Sequence, residues 1–269
     1  MVNVDWFTFI LKLVLVPVFI AAVSLVGRRW GTTVGGWLVG LPLTSGPVAF
    51  FLALEQGSVF AYQASGAIML GIVSFYAFCL AYGWSAMRFG WFLSAFAGIV
   101  AFLAGTFLLE MTTLSLAIEL ALAVLVLILS LYLMPRVGRD RKAKGHMRWE
   151  LPARMISATA LVFLITGVAS LLGPELTGLL SPFPVYATTL SAFIHRSQGG
   201  EEAVKFLRGV MVGSFTFIIF FLILSLTLVS WGIAASFLTA VIVSLLTHGA
   251  SLQLLRFSSR IAEPPSSVS

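Results

Sequence analysis

Gly35-Gly36-Trp37-Leu38-Val39-Gly40-Leu41-Pro42-Leu43-Thr44-Ser45-Gly46-Pro47-Val48 decides how the chain is read. It is apolar enough to lie in a bilayer, yet it holds two prolines and four glycines. Proline removes a backbone donor and its ring collides with the preceding turn, so a regular helix breaks here. In hydrocarbon, a break survives only where protein or a water-filled cavity satisfies the freed backbone groups. A second stretch of the same kind, Gly178-Leu179-Leu180-Ser181-Pro182-Phe183-Pro184-Val185-Tyr186-Ala187-Thr188-Thr189, lies in the other half. Two interrupted spans at corresponding places of two halves point to a binding site at the bilayer midplane.

Outward from that stretch the chain is equally apolar. Of its 269 residues, 59% are hydrophobic and 10% are charged, and the mean hydropathy is +1.05. A water-soluble domain of this size needs more polar surface than that. Apolar runs long enough to cross ~30 Å of hydrocarbon recur from end to end. They predict an all-α, polytopic membrane protein with nine transmembrane helices, over residues 7–26, 34–54, 61–82, 91–109, 114–133, 151–172, 176–194, 206–229 and 232–255. The first run lacks the basic leader of a cleavable signal and is followed by Arg28-Arg29, so it reads as a retained helix. Residues 259–269, with Pro264, Pro265 and several serines, read as a disordered tail. The single cysteine, Cys79, excludes an internal disulfide and a multi-cysteine metal site.

Loop charge sets the orientation, because Lys and Arg collect on the cytoplasmic side. With nine spans, one face receives 15 of the 16 basic residues, including Arg28, Arg29, Arg88, Arg136 to Arg148, Arg196, Lys205 and Arg208. The other face carries Asp5, Glu55, Glu110, Glu119 and Glu175. The N-terminus is therefore expected outside and the C-terminus inside. The net charge of +6 follows the loops of one face, which speaks against nucleic acid as a partner. The basic loop Arg136–Arg148 is first an orientation signal and second a candidate contact for anionic lipid.

A shift of 142 residues aligns the two halves without a gap and gives 13 identities over the 50 positions from Gly31 to Leu80. The most telling are Gly31/Gly173, Gly36/Gly178, Pro42/Pro184, Gln56/Gln198 and Gly57/Gly199. Helices one to four thus pair with six to nine and helix five is left over. Because five crossings separate the two units, the second enters from the opposite face, and the repeats are inverted. The expected organisation is a first repeat over residues 1–112, a linker helix with the basic loop over 113–150, and a second repeat over 151–258.

Both prolines fall near mid-bilayer. The candidate substrate-binding residues around them are Pro42, Thr44, Ser45 and Pro47 in the first repeat, and Ser181, Pro184, Tyr186, Thr188 and Thr189 in the second. Freed N–H groups at a half-helix start favour an anion, and freed carbonyls favour a cation. Small hydroxylated residues are also the usual packing residues between membrane helices. His248, two thirds along the ninth helix, is the proton-relay candidate. No HExxH, GxSxG or P-loop occurs, and the only aspartates are Asp5 and Asp140. An enzyme, a metal site, a cofactor and ATP-driven pumping are accordingly not expected.

As topology, this organisation resembles the inverted-repeat secondary transporters of the bile-acid/sodium symporter and cation/proton antiporter superfold. The crossing broken helices of that fold would correspond to the third and eighth spans here, whereas this chain carries its prolines in the second and seventh. The third and eighth also lack the embedded acidic and Asn residues of such families, so no site residues carry over. Gly40-Leu41-Pro42-Leu43-Thr44-Ser45-Gly46-Pro47 looks like a signature of uncharacterised bacterial membrane proteins, which implies the bacterial inner (cytoplasmic) membrane. The function implied is a secondary transporter or exporter of a small solute, by alternating access around the two interrupted helices. The alternative is a non-transporting membrane protein, a lipid-handling or assembly factor that keeps a duplicated fold. Homo-oligomers are compatible with either.

Overall fold

The computed structural model describes residues 6–42, 45–112, 114–138, 151–161 and 183–261. Thr44, Ser181, the loop from Arg139 to Arg148, the second half of the sixth expected span, the start of the seventh and the tail lie outside the described residues. The described chain is all-helical. Its elements are α1 (Trp6–Trp30), α2 (Thr32–Val39), α3 (Ser45–Gln56), α4 (Ser58–Ala86), α5 (Trp91–Glu110) and α6 (Leu116–Leu133). Then come α7 (151–161), α8 (Val185–Gln198), α9 (Gly200–Gly213) and α10 (Phe215–Ile261).

Among these, four helical segments are long and apolar enough to cross a membrane: Ser58–Ala86, Trp91–Leu109, Leu116–Leu133 and Gly200–Ser251. The last is two arms, because Gly232 sits inside it with φ 76° and ψ 173°. At 1.5 Å per residue, the 20 residues of α5 reach about 30 Å, the hydrocarbon thickness. Burial confirms that the surroundings are not water. Phe92, Phe96, Phe107, Leu125, Ile128 and Leu246 are exposed, while Ser65, Ser74, Ser94, Ser130, Thr216 and Ser244 are buried. An apolar exterior of this extent is stable only against lipid. Trp30, Trp84 and Trp231 are exposed near helix ends, as interfacial anchors are.

α4 is the centre of the molecule. It packs against α5 and α6 on one side and against α9 and the first arm of α10 on the other. The backbone continues from α9 into α10, since the Ser214 N–H reaches Val210 O at 2.8 Å and the Ile218 N–H reaches Ser214 O at 3.2 Å. Arg208 of α9 donates from Nη2 to the carbonyls of Met134 (2.8 Å) and Pro135 (3.3 Å), which ties this helix to the end of α6.

Neighbouring helices are joined by single glycines in a conformation that only glycine adopts readily. Gly57 has φ 87° and ψ 170° between α3 and α4; Gly199 has φ 102° and ψ 169° between α8 and α9. The hydrogen bonds around them also correspond. Gly57 N–H reaches Ala53 O at 3.1 Å and Ala61 N–H reaches Gly57 O at 3.2 Å. Gly199 N–H reaches His195 O at 3.0 Å and Ala203 N–H reaches Gly199 O at 3.3 Å.

The element boundaries refine the sequence reading. The second span is two helices, α2 and α3, separated at Gly40–Thr44 around Pro42, as the proline requires. The eighth starts at Gly200, so Glu201–Arg208 is part of it. Within it Lys205 bonds Glu202 at 2.7 Å, and the other oxygen of Glu202 accepts from the Thr32 hydroxyl at 2.8 Å.

Candidate functional site

The segment around Pro42 and the start of α8 at Pro184 come together. A cavity of about 60 Å³ is lined by Val39, Gly40, Leu41 and Ser45 of the second span and by Phe183, Pro184, Val185, Tyr186 and Ala187 of the seventh. Ile72 and Phe75 of α4, with Val210, Ser214 and Phe217 of α9 and α10, complete the wall. That volume holds about four water-sized molecules at ~15 Å³ each. Four pairs of wall positions are separated by the same 142 residues: Leu41/Phe183, Ser45/Ala187, Ile72/Ser214 and Phe75/Phe217.

Each proline starts its half-helix in the same way. The Pro42 carbonyl accepts the Gly46 N–H at 2.8 Å and the Pro184 carbonyl accepts the Thr188 N–H at 2.7 Å. α3 and α8 therefore both begin at the cavity, where first-turn N–H groups carry partial positive charge. The end of α2, at Val39 and Gly40, lies at the same wall. Pro47 occupies the first turn of α3, where its missing N–H costs no helical hydrogen bond.

Of the expected site residues, Ser45, Pro184 and Tyr186 are in the wall. Pro42, Pro47, Thr188 and Thr189 stand beside the cavity without lining it, and Thr188 and Thr189 are buried. Thr44 and Ser181 lie outside the described residues. His248 belongs to a separate cluster. It is buried, its Nδ1 is 2.8 Å from the Thr216 hydroxyl, and its ring stacks on Trp37 at 3.7 Å and 13°. The Trp37 indole N–H donates to Ser251 Oγ at 2.9 Å.

Two participants were not anticipated. The first is Ser214, whose hydroxyl donates to Met211 O at 2.7 Å. Its proton being committed, it accepts from the Tyr76 O–H, 2.9 Å away, and so joins α4 to the eighth span at the cavity. The second is a glycine contact that fixes one edge of the cavity. A Cβ on Gly36 would overlap the Phe206 carbonyl and one on Gly40 would overlap Gly213; a Cβ on Gly209 would overlap the Thr33 carbonyl and one on Gly213 that of Trp37. Helices α2 and α9 therefore touch backbone to backbone. The sequence did carry this signal: Gly36/Gly40 and Gly209/Gly213 are both small-xxx-small spacings.

The chemistry available to the cavity is that of its described lining. Its wall has aromatic and aliphatic faces, two hydroxyls (Ser45 and Ser214), one phenol (Tyr186) and helix-end backbone groups, and no charged side chain. No protein-family model, curated protein or solved structure matches the chain.

Proposed function

We propose that this protein is a secondary transporter or exporter of a small solute, working by alternating access around the two proline-interrupted spans. One observation carries the reading: proline-containing segments that lie 142 residues apart in sequence wall the same cavity, and four pairs of its wall positions share that offset. That is the arrangement expected of two inverted four-helix repeats related by a pseudo-two-fold axis in the membrane plane. The corresponding backbone at Gly57 and Gly199 supports it. On this reading the chain crosses the bacterial inner membrane nine times, with the N-terminus outside, the C-terminus inside and the basic loop Arg136–Arg148 against anionic lipid. A full charge entering the cavity meets only helix-end dipoles of about half a charge each. Small, weakly charged or neutral solutes therefore fit best.

The test is solute entry into vesicles containing the purified protein, with glycerol, urea and acetate as probes and light scattering as the readout. Entry above protein-free vesicles is expected, and Ser45→Trp or Ala187→Trp, each filling the cavity from one side, should reduce it at least tenfold. Entry that neither substitution changes would sink the proposal. The same result would favour the non-transporting alternative, a lipid-handling or assembly factor, for which the dry glycine contact between α2 and α9 is the supporting feature.

A further inference from the structure

We propose that His248 binds a proton and that the proton is the coupling species of this protein. The coupling rests on the transport reading above; the proton site stands on its own geometry. His248 is 4% exposed. Its Nδ1 is matched by the Thr216 hydroxyl at 2.8 Å, whereas Nε2 has no hydrogen-bond partner among the described residues. A neutral imidazole here always leaves one valence unmatched. With Nδ1–H donating to Thr216, the Nε2 lone pair is open and takes a proton directly. In the other tautomer Nε2–H is unmatched; the Thr216 hydroxyl then turns to accept while Nδ1 takes the proton. Either way one N–H bond forms as a hydronium ion gives up its proton and becomes water; in the second tautomer the Thr216 hydrogen bond also reverses direction.

Burial opposes a charge here, and the face of the ring offers it one favourable contact. The indole of Trp37 covers the imidazole face at 3.7 Å and 13°, and an aromatic face attracts a cation most strongly when both are out of water. Trp37 is held in turn by Ser251, whose hydroxyl donates to the His248 carbonyl at 2.8 Å. Among the charged groups on the elements packed around the site, Arg28 and Arg29 on α1, Arg196 on α8 and Glu201 on α9 are exposed, and the Glu119 carboxylate of α6 lies against Gly66 of α4. α2 and the first arm of α10, which supply Trp37 and Thr216, contain no ionisable side chain. On α9, which packs on α2, Glu202 and Lys205 engage each other, and Arg208 is bound to backbone carbonyls of the α6 end. On α4, Tyr76 is bound to Ser214. Arg256 and Arg260 lie more than two turns further along the helix of His248.

The site also has a route to the cavity. Trp37 is one turn before Gly40 and Leu41, which are cavity wall. Charging His248 strengthens its hold on Trp37, and so on the half-helix that ends at the proline break.

The experiment uses full-length protein in nanodiscs with ¹⁵N-labelled histidine. There are three histidines, His146, His195 and His248, and His248→Gln identifies the third signal. The expected result is a change of that signal from neutral to imidazolium within about pH 4 to 8. Tryptophan fluorescence should be quenched with the same midpoint in the wild type and not in His248→Gln. Trp37→Leu should lower the proton affinity of His248 by about threefold to thirtyfold, with Trp37→Phe as the milder variant. A His248 that stays neutral throughout, or a midpoint indifferent to both Trp37 variants, overturns the site. Vesicles separate this from the transport reading. If nothing enters them while His248 titrates with Trp37, the transport reading falls and the proton site stands. If solute enters but ignores an imposed pH gradient, the coupling is overturned.

Discussion

Residues 57–106 and residues 199–248 are the same length of chain, offset by 142, and they differ instructively. Both begin at a glycine with the same backbone conformation and both send an aromatic residue, Phe75 or Phe217, to the cavity. Their polar interiors diverge. In the first, Ser74 and Thr106 are buried and neither hydroxyl has a hydrogen-bond partner among the described residues. At the corresponding positions of the second, Thr216 and His248 bond each other at 2.8 Å. Phe102, fully buried and packed edge-on against Phe183 at 5.3 Å, corresponds to Ser244. Backbone geometry corresponds where the helices turn and the cavity walls meet, while a paired threonine and histidine occur in the second region only.

That contrast can be attacked directly. Phe102→Ala removes a buried ring against the seventh span and should cost about 3–5 kcal/mol, measured by unfolding in mixed micelles. Gly209→Ala pushes a methyl into the Thr33 carbonyl, where no side-chain rotation relieves it, and should cost about 1–3 kcal/mol with loss of the α2–α9 contact. Gly57→Ala and Gly199→Ala place a side chain at φ 87° and 102° and should each cost about 1–3 kcal/mol. The comparison predicts that these two costs agree, and a large difference between them would break it. Ser244→Ala, which removes a hydroxyl without a partner, should change stability by less than about 0.5 kcal/mol.

Much of the architecture was legible because hydrocarbon and proline are strict. The helix over 91–109 and the break at Pro42 could be read from hydropathy and ring chemistry alone. The pairing of Pro42 with Pro184 in sequence anticipated that Leu41 and Phe183 would face one cavity. What could not be read were contacts between distant positions. Tyr76 meets Ser214 across 138 residues, and no local periodicity reports such a pair. Trp37 carried no sign of being a partner for His248, and tryptophan in a membrane chain normally reads as an interfacial anchor. Thr188 and Thr189 were drawn into the expected site by their hydroxyls; the turn of α8 carries them past the wall, and Tyr186 and Ala187 line it instead. The glycine contact was readable from its four-residue spacing, but the prolines beside Gly36 and Gly40 directed the reading to breakage and not to close approach.

The contact between α2 and α9 has a consequence for biosynthesis. Gly36 rests on Phe206, a residue made 170 positions later. At roughly 5 to 20 residues per second, the ribosome takes about 10 to 30 s to produce that partner. Throughout that interval α2 is a short apolar helix with its glycine face uncovered and a broken end beyond it. The α2–α9 contact is therefore among the last to form, once the C-terminal half has arrived.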